Sequence, residues 1–287
     1  MSNAAVLKDD YLGEYHVYEP HRAGLPPIRP YFRELWRRRA FAVELAKSTI
    51  RSTHHDTVFG VLWNVINPLL LAGVYYLLVA IISQATQPSD YFAHLLAGLF
   101  AFYFVAGCMS GGSASVTSAG RMIMNTAFPR MLLPLSAVYI AFRKFLPTML
   151  VYLAVALITH VGVSTTALLA IPMFMLLMVF GTGMGLLLAT AQVYFRDTAS
   201  FLPYVTRIWL YVSPVLFYPD AKFIEKIGPL IHLNPLYSLL GGWGDLLVRG
   251  DLIPAWMWIE AALWSFGTLA LGAVVFMSRE RDFAVRL

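Results

Sequence analysis

Residues 51–83 read RSTHHDTVFGVLWNVINPLLLAGVYYLLVAIIS, and the fold turns on one change of character inside them. Up to about Val58 the stretch is polar, with Arg51, His54, His55 and Asp56. The 26 residues 58–83 that follow carry no charge. A hydrocarbon core of ~30 Å takes ~20 helical residues to cross, so the apolar part predicts one complete membrane crossing. The polar part belongs to water and lipid headgroups.

Working outward, the same signature recurs at 91–117, 136–159, 166–193, 201–217 and 255–277, which makes six expected crossings. The fifth is barely long enough and contains Pro203 and Pro214. Composition agrees. Of 287 residues 59% are hydrophobic and only 13% are charged, and mean hydropathy is +0.65. A soluble domain carries about 25% charged residues. A water-soluble fold is excluded, and an all-α integral membrane protein is expected.

Charge placement sets the expected topology. The arm before residue 58 holds nine Lys and Arg. Arg121, Arg130, Arg143 and Lys144 cluster around the second connection, Arg196 and Arg207 around the fourth, and Arg279, Arg281 and Arg286 in the tail. Only Lys222, Lys226 and Arg249 fall on the other side. The positive-inside rule then puts both termini in the cytoplasm, as six crossings require.

Three regions follow. Residues 1–30 read as a cytoplasmic tail, irregular because of Pro20, Pro26, Pro27 and Pro30. Residues 31–56 read as an amphipathic interface helix. Phe32, Leu35, Trp36, Val43, Ala46 and Ile50 recur at helical steps, with Arg33, Arg37, Arg38 and Lys47 largely elsewhere on the wheel. Such a helix lies in the membrane surface or packs on a partner, and its two faces allow both. Residues 57–287 read as the six-helix transmembrane domain. Its outward segment 218–254 is cut by Pro219, Pro229, Pro235 and Pro254. Irregular backbone at membrane depth survives only inside protein or against water. Two short helices, at 223–231 and 235–248, are therefore expected to dip into the outer mouth of a pore; an ordinary external loop is the other reading.

Much chemistry is missing. No phosphate loop G-x-x-x-x-G-K-[ST] occurs, and Gly181, Gly183 and Gly185 sit in an apolar run. Gly181 and Gly185 instead form a G-x-x-x-G, which lets helices approach closely. The seven histidines show no metal-ligand spacing, and the one cysteine, Cys108, can form no disulfide within the chain. No catalytic, cofactor-binding or metal site is expected. Charge of +5 is spent on topology, not on nucleic acid. No carboxylate falls at mid-membrane between residues 58 and 217, so an energy source elsewhere is expected.

Five motifs in register carry a resemblance: FGVLWNVINPLL at 59–70, FPRMLLPLS at 128–136, VYFRD at 193–197, WLYVSPVLF at 209–217 and LNPL at 233–236. From about Tyr31 onward the chain resembles the membrane subunit of bacterial type-2 ABC polysaccharide exporters, which move O-antigen, teichoic acid, galactan and capsule chains. The resemblance implies a homodimer paired with two copies of a cytoplasmic ATPase, which would bind Mg-ATP, and a place in the inner membrane. It implies a coupling helix within 118–133, with Arg121, Asn125, Phe128, Pro129 and Arg130 docking on that ATPase. It implies that the basic helix, with Trp36, Arg37, Arg38 and Lys47, also touches the ATPase, and that 218–254 forms gate helices at the outer mouth.

A glycan presents C–H faces that stack on aromatic rings and hydroxyls that stay free, so weak contact at many points would let it slide. Channel-lining candidates are Tyr75, Tyr76, Phe100, Phe102, Tyr103, Phe104, Trp209 and Tyr211; the other reading makes each a core or lipid-facing ring. Asn64 and Asn67 share a helix face turned to the pore or to a neighbouring helix. Arg143, Lys144 and Arg207 either receive the pyrophosphate of a lipid-linked sugar, which cations bind strongly, or snorkel to headgroups. The expected function is a permease subunit for a lipid-linked polysaccharide. The alternative is a type-2 ABC exporter of drugs or lipids. A membrane glycosyltransferase would need clustered acids, and Asp56, Asp197 and Asp220 do not cluster in sequence.

Overall fold

The computed structural model describes residues 25–54, 59–83, 88–159, 161, 164–218 and 228–287. Among these residues every regular element is helical. The basic arm forms two helices where one was expected, α1 (Ile28–Arg37) and α2 (Arg39–His54). The break falls at Arg38, whose side chain is drawn inward to the carbonyl oxygen of Ala127 at 2.7 Å. Pro30 is tolerated because it lies in the first turn of α1, where backbone N–H groups have no helical acceptor.

The first long helix, α3 (Trp63–Ser83), starts five residues later than the charge boundary suggested, after a 3-10 turn at Gly60–Leu62. Then come α4 (Tyr91–Ser118), the short α5 (Gly120–Asn125), α6 (Leu132–Ile158) and α7 (Ala170–Tyr194). The next helix, α8 (Thr198–Val212), has 15 residues. A 3-10 turn at Gly228–Leu233 leads to α9 (Pro235–Gly244), which runs on into one π-helical turn at Asp245–Arg249. Finally α10 (Ala255–Arg279) passes through a 3-10 turn, Glu280–Asp282, into α11 (Phe283–Arg286).

Among the described residues five segments, built on α3, α4, α6, α7 and α10, are long and apolar enough to cross a membrane. The expected fifth crossing, 201–217, is shorter as a helix. Fifteen residues give about 22 Å, less than the hydrocarbon thickness. Residues 213–217 continue it as a turn, with Val215 fully buried against Gly98. Of the two expected outer helices, 223–227 lies outside the described residues. The second is α9 with its π turn.

The bundle is centred on α4, whose apolar window is 78% buried, against 6% for α3. Helices α6 and α7 flank α4, α10 packs on α7, and α3 and α8 lie outside this core. Glycines set the spacing. A methyl group on Gly112 would lie 2.5 Å from the Cα of Gly185, which fixes α4 against α7. One on Gly183 would strike the backbone of Thr268 and Leu269 at 2.5 Å, and one on Gly272 would strike the Gly183 carbonyl at 2.5 Å. Thus Gly181 and Gly185 face α4 while Gly183 faces α10. Around Trp243 of α9, Phe145 stacks on Phe174 at 4.3 Å and Phe104 lies 5.0 Å from Phe174.

Candidate functional site

Three features stand out on this scaffold: a polar wall on one side, a charged joint at the end that carries both α1 and α11, and an aromatic cluster at the opposite end.

The wall is built by α3, α4, α6 and α8. Asn64, Asn67, Phe100, Tyr103, Phe104 and Lys144 line one cavity of about 230 Å³. Tyr103 and Lys144 also line a second, of about 460 Å³, with Ser110, Ser113 and Thr206. Tyr75 stands edge-on to Tyr211 at 6.3 Å. Because α6 begins at Leu132 and not at 136, Lys144 sits twelve residues inside it, about 18 Å along its axis. A lysine within an apolar helix is expensive in lipid unless it faces water or a polar partner. Arg143, Lys144 and Arg207 are all exposed.

The remaining aromatic candidates pack within the subunit. Phe102 and Phe104 are buried, and Phe100 is buried but for the edge it gives the cavity. Tyr76 packs on Tyr91 and Phe92, at 6.0 and 5.5 Å. Trp209 donates to Asn234 Oδ1 at 2.8 Å, and Asn234 in turn caps α9.

At the end bearing α1, the expected coupling residues lie close together. Ile123 anchors α5 while Arg121 and Asn125 are exposed. Asn125 donates to the Arg121 carbonyl at 2.9 Å. Phe128 meets Phe41 at 5.2 Å, and Pro129 is buried. A groove of about 740 Å³ opens between Tyr31, Glu34, Asn125, Phe128 and Arg130. On the arm, Trp36 is 69% exposed beneath the Arg39 guanidinium at 4.7 Å, a rare exposure for so large a ring. Arg37 pairs with Glu34 at 2.8 Å and Lys47 with Glu44 at 2.7 Å.

The sequence reading missed the carboxylate that joins these parts. Glu280 is buried and accepts from Tyr31 Oη at 2.5 Å and from the Arg130 backbone N–H at 2.5 Å. The Arg130 guanidinium donates back to the Glu280 carbonyl oxygen. Burial first, then the Glu280 charge, pushes the Tyr31 phenol well above its usual range. Burial likewise lowers the Arg130 guanidinium. A lone Glu among tail arginines, in SRERD, was the available signal.

The opposite end holds a second missed cluster. Tyr218 donates to Asp90 Oδ2 at 3.0 Å, lies against the tilted ring of His94 at 4.1 Å and lies under the Arg249 guanidinium at 4.1 Å. Burial first, then the Asp90 charge, raises the Tyr218 phenol. Nearby, the indole N–H of Trp243 donates to the Ala97 carbonyl at 3.1 Å and fixes α9 to α4.

Apolar helices long enough to cross a membrane, an exposed basic arm and a polar cavity between α3, α4 and α6 fit a membrane transport protein. Comparison with known sequences gives the family: residues 42–242 match the ABC-2 type transporter model, and the chain belongs to that family. It is accordingly the membrane subunit of an ABC transporter and a multi-pass inner-membrane protein. The chain is similar to the O-antigen export system permease protein RfbA of Klebsiella pneumoniae, 29% identical over 211 residues, 73% of this chain and 81% of that protein. A second RfbA from the same species is 28% identical over 211 residues, with the same coverage.

Proposed function

We propose that the chain is the permease subunit of an exporter that carries a lipid-linked polysaccharide, of O-antigen, galactan or teichoic acid type, from the cytoplasm across the inner membrane. ATP is hydrolysed on a separate ATPase chain, which holds the Mg-ATP. Two copies of the permease pair with two copies of that ATPase. In this reading the chain crosses six times, with α8 and its following turn as the fifth crossing, and both termini are cytoplasmic. The end bearing α1, α5 and α11 docks the ATPase, and the segment around α9 gates the outer mouth.

The observation that carries the reading is the wall. Lys144, Tyr103, Asn64 and Asn67 line one cavity between apolar helices, where lipid alone would make a cation costly. A passing glycan with a charged pyrophosphate suits both the cation and the tyrosine faces. The similarity to two O-antigen export permeases supports the same substrate class. An exporter of drugs or lipids is the alternative; it needs no row of tyrosines open to a hydroxyl-rich chain.

A tagged copy of the chain, purified from its native membrane in mild detergent, tests the reading. An untagged nucleotide-binding ATPase should come with it in about equal amount, as a two-plus-two assembly requires. Purification of the chain alone, active in export, would overturn it.

A further inference from the structure

We infer that α10 is the rod that couples the two ends of the subunit, and that Glu280 and Glu260 are the positioning residues that grip its ends. The inference rests on the reading just given and names the route by which ATPase motion would reach the outer mouth.

The inner grip joins segments far apart in sequence. The Glu280 carboxylate takes one hydrogen bond from Tyr31 of α1 and one from the Arg130 backbone, 249 and 150 residues away. Arg130 also donates to the Glu280 carbonyl, so the loop after α5 is tied to the end of α10 in both directions. Glu280 as a residue is 9% exposed, so water competes little for these bonds. Two neighbouring ties stiffen the joint: Arg38 holds the Ala127 carbonyl at 2.7 Å, and Tyr194 at the end of α7 donates to Asp282 at 2.8 Å.

The outer grip lies twenty residues back along the same helix, about 30 Å away. Glu260 Oε2 meets His232 Nδ1 at 2.9 Å, and the Trp264 indole donates to the His232 carbonyl at 3.2 Å. His232 belongs to the turn that leads into α9. One helix thus holds the loop after α5 at one end and the outer segment at the other. Between the grips, Gly183 and Gly272 seat α10 directly on the backbone of α7, which leaves little play for bending. A displacement of the loop therefore shifts α10 as a body and moves the residues around His232.

The test uses the complex of the chain with its co-purifying ATPase in proteoliposomes. The probe is a labelled polyprenyl-pyrophosphate oligosaccharide, and the readout is glycan exported per ATP hydrolysed. Glu280→Gln loses one acceptor oxygen and should lower that ratio about tenfold, within the usual range of site-to-site coupling. ATP hydrolysis should stay within about twofold, because the hydrolytic site is on the partner. Glu260→Gln should do the same from the other end, and the double variant should be no worse than either single one. A merely structural role would lower assembly and leave the ratio intact. If Glu280→Gln does not assemble, Tyr31→Phe, which removes one hydroxyl, decides: a lowered ratio supports the rod. An unchanged ratio in the assembled variants, or effects that multiply in the double variant, overturns it. Failure of the wild-type complex to export at all would sink the underlying reading instead.

Discussion

Tyr218 and Asp90 are bonded across 128 residues of sequence, phenol to carboxylate, at 3.0 Å. The bond pins the segment after α8 to the first residues of α4, and the Arg249 guanidinium covers the same ring at 4.1 Å. Tyr218→Phe keeps the ring and loses the bond, so thermal unfolding in detergent should show a loss of about 1 kcal/mol. Tyr218→Ala also removes the ring contact with His94 and should cost about 3 kcal/mol. Equal stabilities for the two variants would mean that the ring contributes nothing.

Helix spacing gives a paired prediction. A methyl group at Gly183 strikes the backbone of α10, whereas one at Gly267, on α10 itself, meets nothing within 4 Å. Gly183→Ala should cost about 1–3 kcal/mol, because neither backbone can yield without shifting a helix. Gly267→Ala should be neutral or slightly stabilising, since alanine is the better helix former. Melting curves of the two variants side by side decide it.

Lys144 is the cation common to the wall cavities. Replacement by Met should lower export of a pyrophosphate-linked glycan by about ten- to a hundredfold, the loss of one hydrogen bond to a charged group. Lys144→Arg should retain most of it. Arg143→Ala, which removes a side chain that lines neither cavity, should have a smaller effect. Initial export rates in proteoliposomes check all three.

Much of this fold was legible in the sequence because lipid imposes a coarse rule. Long uncharged runs must be helices, and arginines must mark one side. That rule found α3, α4, α6, α7 and α10; the short α9 followed from the prolines that divide 218–254. It could not find the break at Arg38, nor the bond that side chain makes there to the Ala127 carbonyl, 89 residues away. Nor could it separate the rings. Tyr75 and Tyr76 are adjacent in sequence, yet one meets Tyr211 and the other packs on Tyr91. Glu280 escaped for a related reason. It sits in an arginine-rich tail that reads as solvated, and only the folded chain brings Tyr31 and Arg130 to it.

Topology yields a further prediction. Single cysteines placed at Leu25 and Leu287 should both be labelled by a membrane-impermeant maleimide only after the inner face is opened. A cysteine at Leu252, which is 73% exposed next to α10, should be labelled from outside. Labelling of Leu25 and Leu287 from opposite faces would mean an odd number of crossings.

The most direct measurement is export from proteoliposomes that hold the chain with and without its ATPase, followed with the labelled glycan lipid and ATP. The expected result is transport only when chain, ATPase and ATP are all present, and none from the chain alone. Steady transport by the chain alone, or transport that continues when ATP hydrolysis is blocked, would contradict a permease driven by a separate subunit.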